Sequence, residues 1–239
     1  MTVSDRYRTA WDGFWGQSSG QPGEPFWDAD PAVTAQRDLD HLTPYADPAL
    51  PIADLGCGNG TQTRFLATRF ARAVGVDLSA AAVAHARRAD VAGAATYEQL
   101  NLADPAQAEA LHARLGDTNA YMRAVLHQSD TEDRPAVAAT VARLVGSHGR
   151  ALVLEPTGEA KEIIAAIAAQ AGGPSLKLRR VKEHDLRPGE VAEGEVADLL
   201  RGAGLTVLAE GATALTMSET HPDGTPVELP ARWFVAGRP

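Results

Sequence analysis

The chain alternates short apolar runs with longer stretches in which apolar residues recur every three or four positions. The runs predict strands buried on both faces, and the three- and four-residue spacing predicts amphipathic helices. The predicted strands are 52–55, 73–77, 96–99, 119–122, 151–155, 205–210 and 231–236. The predicted helices are 65–70, 80–89, 105–115, 132–145, 160–171 and 191–203. Their alternation predicts an α/β fold with a doubly wound, mostly parallel seven-stranded sheet.

Turn and capping residues mark the ends of several predicted elements. Residues 221–226 read His-Pro-Asp-Gly-Thr-Pro and join the last two predicted strands. Because proline, aspartate and glycine favour turns, we predict a long hairpin that makes the final strand antiparallel. Ser129 and Glu132 fit a capping box before the helix at 132–145, and Gly146 is a natural helix stop.

The first predicted strand runs into three alternating glycines, Gly56, Gly58 and Gly60. A helix opening with Thr61, a hydroxyl suited to capping, follows directly. Glycine accepts the backbone angles of a tight turn and lets a ligand lie against the backbone. The segment therefore predicts a loop that binds a nucleotide-type cofactor.

Asp77 ends the second predicted strand, about twenty residues after the glycine loop. In a βαβ unit this strand lies beside the first one, so its terminal acid can accept hydrogen bonds from both ribose hydroxyls. The alternative is that Asp77 caps the helix that follows it.

Together these residues resemble the class I S-adenosylmethionine-dependent methyltransferases, whose first motif is similar to the acid-x-Gly-x-Gly-x-Gly at 54–60. NAD-binding proteins usually show the different spacing G-x-G-x-x-G. The resemblance implies a Rossmann-like methyltransferase fold and S-adenosyl-L-methionine as the cofactor. The cofactor-binding residues that it implies are Asp54, Gly56, Cys57, Gly58, Asp77, Leu78, Asn101, Leu102 and Met122.

The family's adenine contact lies after the third strand, where an aspartate is usual. This chain has Asn101, whose carboxamide oxygen can still accept from the adenine amine, while the Leu102 backbone N–H reaches a ring nitrogen. Asp104 is the alternative for this role, or it only caps the helix that begins at Pro105.

After the fourth predicted strand, the resemblance places residues 121–128 beside the methionine and the substrate. Arg123 either pairs with an acid such as Glu155 or Asp54, or binds an anionic group of the substrate. His127 is either a general base, since histidine titrates near neutrality, or a packing residue. We predict Arg123 and His127 as catalytic and substrate-binding candidates.

The N-terminal part is rich in aromatic residues, in a chain that is 5% aromatic. Trp11, Trp15 and Trp27 precede the first strand. They either attach a leading helix to the sheet or form a lid whose aromatic walls bind a flat or apolar substrate. Residues 16–23, rich in glycine, serine and glutamine, are predicted to be a flexible hinge for this lid.

We expect a helical lid in residues 1–48 and a single globular cofactor-binding domain in residues 49–239. The net charge of −9 argues against nucleic acid, and the basic run 177–182 is interpreted as a solvated connector. The chain shows no apolar run long enough for a membrane span and no signal peptide, so we expect a cytoplasmic, bacterial-type protein, monomeric or homodimeric. A single cysteine allows no thiol metal site, and no metal is expected.

These observations predict transfer of a methyl group from S-adenosylmethionine to an oxygen, nitrogen or sulfur nucleophile of a small molecule by in-line displacement. The alternatives are an NAD(P)-dependent oxidoreductase that uses the same glycine loop, and a cofactor-binding regulatory protein without turnover.

Overall fold

Strands and helices alternate along the chain as the hydrophobic pattern predicts. The structure, a computed structural model, describes residues 3–169, 173–184, 186, 189–221 and 223–238. The strands within these residues are β1 Ile52–Leu55, β2 Ala73–Asp77, β3 Ala95–Gln99, β4 Asn119–Arg123, β5 Ala151–Pro156, β6 Thr206–Thr220 and β7 Pro226–Gly237. The helices are α1 Val3–Gln17, α2 Thr34–Leu42, α3 Thr61–Leu66, α4 Ala80–Ala89, α5 Pro105–Leu115, α6 Arg134–Val145, α7 Glu159–Ala168, α8 Leu176–Glu183 and α9 Glu195–Gly202.

The strands form one seven-stranded sheet in the order β3-β2-β1-β4-β5-β7-β6. β1 to β5 pair in parallel, and β7 is antiparallel to both β5 and β6. The predicted doubly wound, mostly parallel sheet with an antiparallel C-terminal strand is therefore confirmed. From β1 the chain extends the sheet first through β2 and β3 and then, on the other side, through β4 and β5. The crevice at such a switch point is where open α/β sheets bind ligands.

β6 and β7 form the long hairpin that the turn segment predicted. Their pairing extends from Thr206 opposite Gly237 to Thr220 opposite Pro226, with two register shifts. Both strands are longer than predicted because the cross-strand pairing continues beyond the apolar runs. Pro222 of the predicted turn lies outside the described residues.

The core consists of two apolar layers, one on each face of the sheet. Successive residues of a strand point to opposite faces. Val153 of β5 therefore packs with residues of α5, α6 and α9, whereas Leu152 and Leu154 pack with residues of α2, α3, α7 and α8. Strands covered on both sides explain the continuous apolar runs in the sequence. No helix of the described ranges is both long enough and apolar enough to cross a membrane.

The start of α6 differs from the prediction. Residues Leu126–Gln128 form a short 3-10 helix that ends at Ser129. α6 then begins at Arg134, after Asp133, without a side-chain cap. The capping box predicted from Ser129 and Glu132 is therefore wrong, because the segment after β4 folds into a turn of its own before the helix starts.

Two helices, α2 and α8, were not predicted, the helix predicted at 65–70 is α3 and ends at Leu66, and the helix predicted at 160–171 also ends earlier. The basic run interpreted as a connector lies in α8, where the Ser175 hydroxyl caps the helix and Leu178 is buried. One buried leucine on a charged helix is too weak a periodic signal to predict it. α7 ends at Ala168, and residues 170 and 171 of the helix predicted at 160–171 lie outside the described residues.

Candidate active site

The carboxyl ends of β1 to β4 open into a cavity of about 180 Å³ that α1 and the segment after it cover. One half of its lining comes from the glycine loop and from the ends of β2 and β3, and includes Gly56, Gly58, Asp77, Leu78, Asn101 and Leu102. The other half comes from the N-terminal part and from the segment after β4, and includes Tyr7, Trp11, Trp15, Trp27, Arg123 and His127. The structure thus brings most of the predicted site residues to one cavity.

The glycine loop requires glycine for two reasons. Gly56, Gly58 and Gly60 have φ angles of 79°, 53° and 73°, which L side chains rarely adopt. A Cβ atom on Gly56 would also lie 2.6 Å from a methyl carbon of Val125. The loop turns back onto β2, where the Gly56 N–H donates to the carbonyl oxygen of Val76 at 2.8 Å.

Asp77 lines the cavity and also holds the glycine loop. One carboxylate oxygen accepts from the Gly58 N–H and the other from the Ser79 N–H, each at 2.9 Å. Burial raises the pKa of Asp77 to about 6, against the lowering effect of these hydrogen bonds. The alternative that Asp77 caps the next helix is wrong, because the Ser79 hydroxyl caps α4 by accepting from Ala82 N–H.

Asp54 lies beneath the loop, and its side chain is not among the described groups that line the cavity. It is 3% exposed, and one of its oxygens accepts from the Thr63 hydroxyl at 2.5 Å. Burial raises the pKa of Asp54 to about 7. In this position the Asp54 side chain fastens the start of α3 to the end of β1.

The side chains of Cys57 and Met122, two other predicted cofactor-binding residues, also point into the protein. Cys57 packs with Val83, Ala86 and Tyr97, and burial raises the pKa of its thiol. Met122 is 1% exposed within the main core. Only the backbone atoms of these two residues remain for contact with a ligand in the cavity.

Asn101 follows β3 and lines the cavity next to Leu102. Its carboxamide oxygen accepts from the Ala103 N–H at 3.0 Å and keeps a second lone pair. Asp104 instead caps α5 by accepting from the N–H groups of the first helical turn, and its side chain is not among the described lining groups. The structure therefore places Asn101, and not Asp104, at the cavity.

The aromatic residues of the N-terminal part form one cluster over the cavity. The rings of Trp11 and Trp27 meet edge to face with centroids 5.5 Å apart, and Phe14 contacts both of them. Trp15 is only 2% exposed and stands directly over the loop, since a Cβ atom on Gly58 would lie 2.9 Å from its ring. The cluster thus both attaches α1 to the domain and provides a wall of the cavity.

α1 spans the cavity because both of its ends are held. Near its end, Asp12 accepts from the Ser79 hydroxyl at 2.6 Å, at the start of α4. Near its beginning, the Tyr7 hydroxyl donates to Asp130 at 2.9 Å, and Arg6 pairs with the same carboxylate at 3.2 Å. Through these contacts α1 connects the two rims of the crevice.

Residues 16 and 17 of the predicted flexible hinge at 16–23 belong to α1, and the rest of the segment is a hydrogen-bonded loop. The Glu24 carboxylate accepts from the hydroxyls of Ser18 and Ser19 at 2.8 and 2.6 Å, and it pairs with Arg180 of α8. Burial opposes ionisation, but these hydrogen bonds lower the pKa of Glu24 to about 2. Several donors on one carboxylate thus tie the serines to Glu24, and movement of this segment as a hinge stays a prediction.

Arg123 lines the cavity, but its charge is already compensated inside the protein. Its Nε lies 3.5 Å from a carboxylate oxygen of Asp38, and the two side chains are 7% and 1% exposed. Its two Nη atoms donate to the carbonyl oxygens of Trp27 and Thr216. The predicted partners were Glu155 and Asp54, and both are wrong, because α2, which was not predicted, brings Asp38 to this place.

His127 is held by a carboxylate that was not predicted as part of the site. Its Nδ1 lies 2.8 Å from Oε2 of Glu155, which is 2% exposed at the end of β5. Since a carboxylate only accepts, these partners assign the ring proton to Nδ1 and a lone pair to Nε2. The Gln128 side-chain amide faces that Nε2 at 2.8 Å.

Glu155 also accepts from the Val125 and Leu126 N–H groups, so it fixes the whole turn after β4. The signal in the sequence was an acid at the end of an otherwise apolar strand. In the described part of the chain, no group of three or more His, Cys, Asp or Glu side chains is arranged to hold a metal ion.

Comparisons with known proteins agree with this geometry. Residues 52–149 match a sequence family described as a methyltransferase domain. Among solved structures, an S-adenosylmethionine-dependent methyltransferase from Anabaena variabilis ATCC 29413 is similar over 100% of this chain and 96% of its own, with 28% identity and a TM-score of 0.88. The curated proteins include no significant match.

More distant structures share the fold. Magnesium protoporphyrin IX methyltransferase from Synechocystis PCC 6803, with bound S-adenosylmethionine, is 18% identical with a TM-score of 0.60, over 100% of this chain and 98% of its own. A structure described as showing conversion of a disulfide bond into a thioacetal group during echinomycin biosynthesis is 18% identical with a TM-score of 0.69, over 97% and 92% of the two chains.

Proposed function

The chain belongs to the class I S-adenosylmethionine-dependent methyltransferases, and on this premise we propose that it methylates a small molecule bound between the aromatic cluster of α1 and His127. Membership of this family argues against the alternative function of a nicotinamide-dependent oxidoreductase. The observation that carries the proposal is the single cavity that joins the glycine loop and Asp77 on one side to His127 on the other.

The first half of the cavity fits the cofactor. Each Asp77 oxygen uses one lone pair on a backbone N–H and keeps another for a ribose hydroxyl. Gly56 and Gly58 line the cavity where a side chain would collide with neighbouring atoms. When bound there, S-adenosylmethionine supplies an electrophilic methyl group on a sulfonium.

The order of the strands gives the cavity a direction. Asp77 ends β2 and Asn101 follows β3, so we assign the ribose and adenine to that side of the sheet. We assign the methionine end of the cofactor to the other side of the sheet, at β1 and β4, where His127 follows β4. We therefore place the acceptor next to His127 and under α1.

The protein's main task in this reaction is to hold an acceptor in line with the methyl group. Orientation of two reactants contributes about 7–11 kcal/mol to lowering a barrier in favourable cases. The covering helix α1, fixed at both ends, supports this task because it limits the positions of a bound molecule and excludes water.

A small acceptor also agrees with the charge of the protein. Nucleic-acid affinity comes largely from lysine and arginine clusters, whereas this chain has a net charge of −9. The cavity is lined mainly by apolar and aromatic groups with a few polar ones, which is typical of small-molecule sites.

Two measurements test the proposal. Calorimetry with S-adenosylhomocysteine and, separately, with NAD should show binding of the first only. The protein is then incubated with methyl-labelled S-adenosylmethionine and a metabolite extract, and methylated products are identified by mass spectrometry. Binding without any labelled product would support the regulatory alternative, and binding of NAD alone would contradict the cofactor assignment.

A further inference from the structure

We propose that the acceptor is a flat aromatic molecule that carries a hydroxyl group and no anionic group near it, and that His127 removes the hydroxyl proton. This inference rests on the proposed function and specifies its substrate class. It depends on the aromatic wall, on the compensated charge of Arg123 and on the pairing of His127 with Glu155.

The aromatic wall favours a flat acceptor. Tyr7, Trp11 and Trp27 line the cavity together with His127. The Tyr7 hydroxyl donates to Asp130, three residues after His127, and the Trp27 carbonyl oxygen accepts from Arg123 at the end of β4. The edge-to-face contact between the two tryptophans holds their rings at an interplanar angle of 80°. Rigid rings of this kind recognise another aromatic ring through apolar contact and offset or edge-to-face packing.

The charges around the cavity disfavour an anionic acceptor. Arg123 is the one lysine or arginine among the described lining residues, and its positive charge faces the buried Asp38. The acids in the lining are Asp77 and Asp133. A carboxylate or phosphate on the acceptor would lose its hydration without gaining an unpaired cationic side chain from this lining, which is costly.

The pairing of His127 with Glu155 favours a hydroxyl over other nucleophiles. A neutral amine or a thiolate attacks without losing a proton first. A hydroxyl instead needs a base to remove its proton, because the loss of the proton makes the oxygen a better nucleophile. Glu155 keeps the His127 proton on Nδ1 and leaves the lone pair of Nε2 for this purpose. The hydroxyl has to take the place of the Gln128 amide that now faces Nε2.

The step balances in atoms and charge. The acceptor O–H bond breaks and its proton passes to Nε2 of His127. The acceptor oxygen forms a bond to the methyl carbon while the carbon–sulfur bond of the sulfonium breaks. The products are an aryl methyl ether, a neutral thioether and a protonated imidazole, which releases its proton to solvent before the next turnover.

Matched naphthalenes test the substrate class. With S-adenosylhomocysteine present, the binding of 1-naphthol, 1-naphthylamine and 1-naphthoate to the intact protein is measured by calorimetry. We expect 1-naphthol to bind at least about tenfold tighter than 1-naphthoate, because only the carboxylate must be desolvated as an anion. Equal or tighter binding of 1-naphthoate, or no binding of any of the three, would overturn the proposal.

Turnover with labelled cofactor tests the role of the hydroxyl. We expect 1-naphthol to be methylated, and His127→Asn to lower its kcat by about 100-fold with little change in KM. The matched control is His148→Asn, since His148 also pairs with a carboxylate, at 2.7 Å from Asp117, but is 79% exposed at the surface. An unchanged kcat in His127→Asn would contradict the base assignment.

The two levels of inference fail in different ways. If cofactor binds but neither these probes nor a metabolite extract yield a methylated product, the proposed function fails. If methylated products appear but only from carboxylated or amine acceptors, methyl transfer stands and the substrate class proposed here is wrong.

Discussion

Nδ1 of His127 lies 2.8 Å from Oε2 of Glu155, and this contact joins the end of β5 to the turn after β4. The remaining acceptor positions of the carboxylate are used by backbone N–H groups of the same turn. Glu155 therefore sets both the orientation of the imidazole and the nitrogen that carries its proton. In this arrangement Glu155 is a positioning residue, and His127 is the group that faces the cavity.

Glu155→Gln should lower kcat more than it changes KM, and it should alter the pH dependence of kcat. An amide turned with its NH₂ group toward His127 favours the tautomer with the proton on Nε2, which removes the lone pair from the cavity. The pH profile of kcat, measured with an acceptor found by the labelling experiment, tests this expectation.

The control for this variant is Asp117→Asn. Asp117 accepts from His148 and His112 outside the cavity, so its change should affect stability and leave the pH profile of kcat unaltered. A profile in Glu155→Gln that matches the wild type, with reduced stability only, would assign Glu155 a purely structural role.

Asp77→Ala should weaken binding of S-adenosylhomocysteine by about 100-fold, since it removes charge-assisted acceptors for the ribose and for the Gly58 N–H. Calorimetry at pH 8 measures the loss, and Asp104→Ala is the matched control because Asp104 only caps α5. Affinity in Asp77→Ala within twofold of the wild type would remove Asp77 from the cofactor site.

Asp54→Asn should stabilise the cofactor-free protein at alkaline pH relative to the wild type. The pKa of Asp54 is raised to about 7 in the folded state, so the folded protein resists its ionisation. The contribution of Asp54 to stability is then fully present below the unfolded-state pKa of about 4 and is lost as pH rises through 7.

Urea unfolding of both proteins at pH 5 and pH 8 measures this difference. We expect the free energy of unfolding of the wild type to fall relative to Asp54→Asn by on the order of 2 kcal/mol between the two pH values. A difference that is independent of pH would mean that Asp54 titrates as an ordinary carboxyl group.

Arg123→Met should reduce the free energy of unfolding by about 3–5 kcal/mol, because it leaves the buried Asp38 charge without its partner. In Arg123→Met/Asp38→Asn much of this loss should be recovered, since no uncompensated charge remains. Chemical denaturation of the single and double variants measures the coupling. Independent, additive losses would show that the two residues do not act as a pair.

The amino-acid sequence by itself determined the order of the strands and of most helices, the glycine loop and the place of Asp77. These features depend on local rules. Buried parallel strands need continuous apolar runs, and a loop with positive φ angles at three alternating positions needs glycine there. The final hairpin was also readable, because its turn residues are contiguous in the chain.

Only the tertiary structure decided the partners of the polar groups. Asp38 reaches Arg123 because it lies on the buried face of α2, and Glu155 reaches His127 because β4 and β5 are neighbours in the sheet. The side chains of Met122 and Cys57 likewise lie in the core because of the face of the strand or loop on which each stands. Hydrogen bonds and ion pairs between residues distant in sequence follow from packing, and no local pattern encodes them.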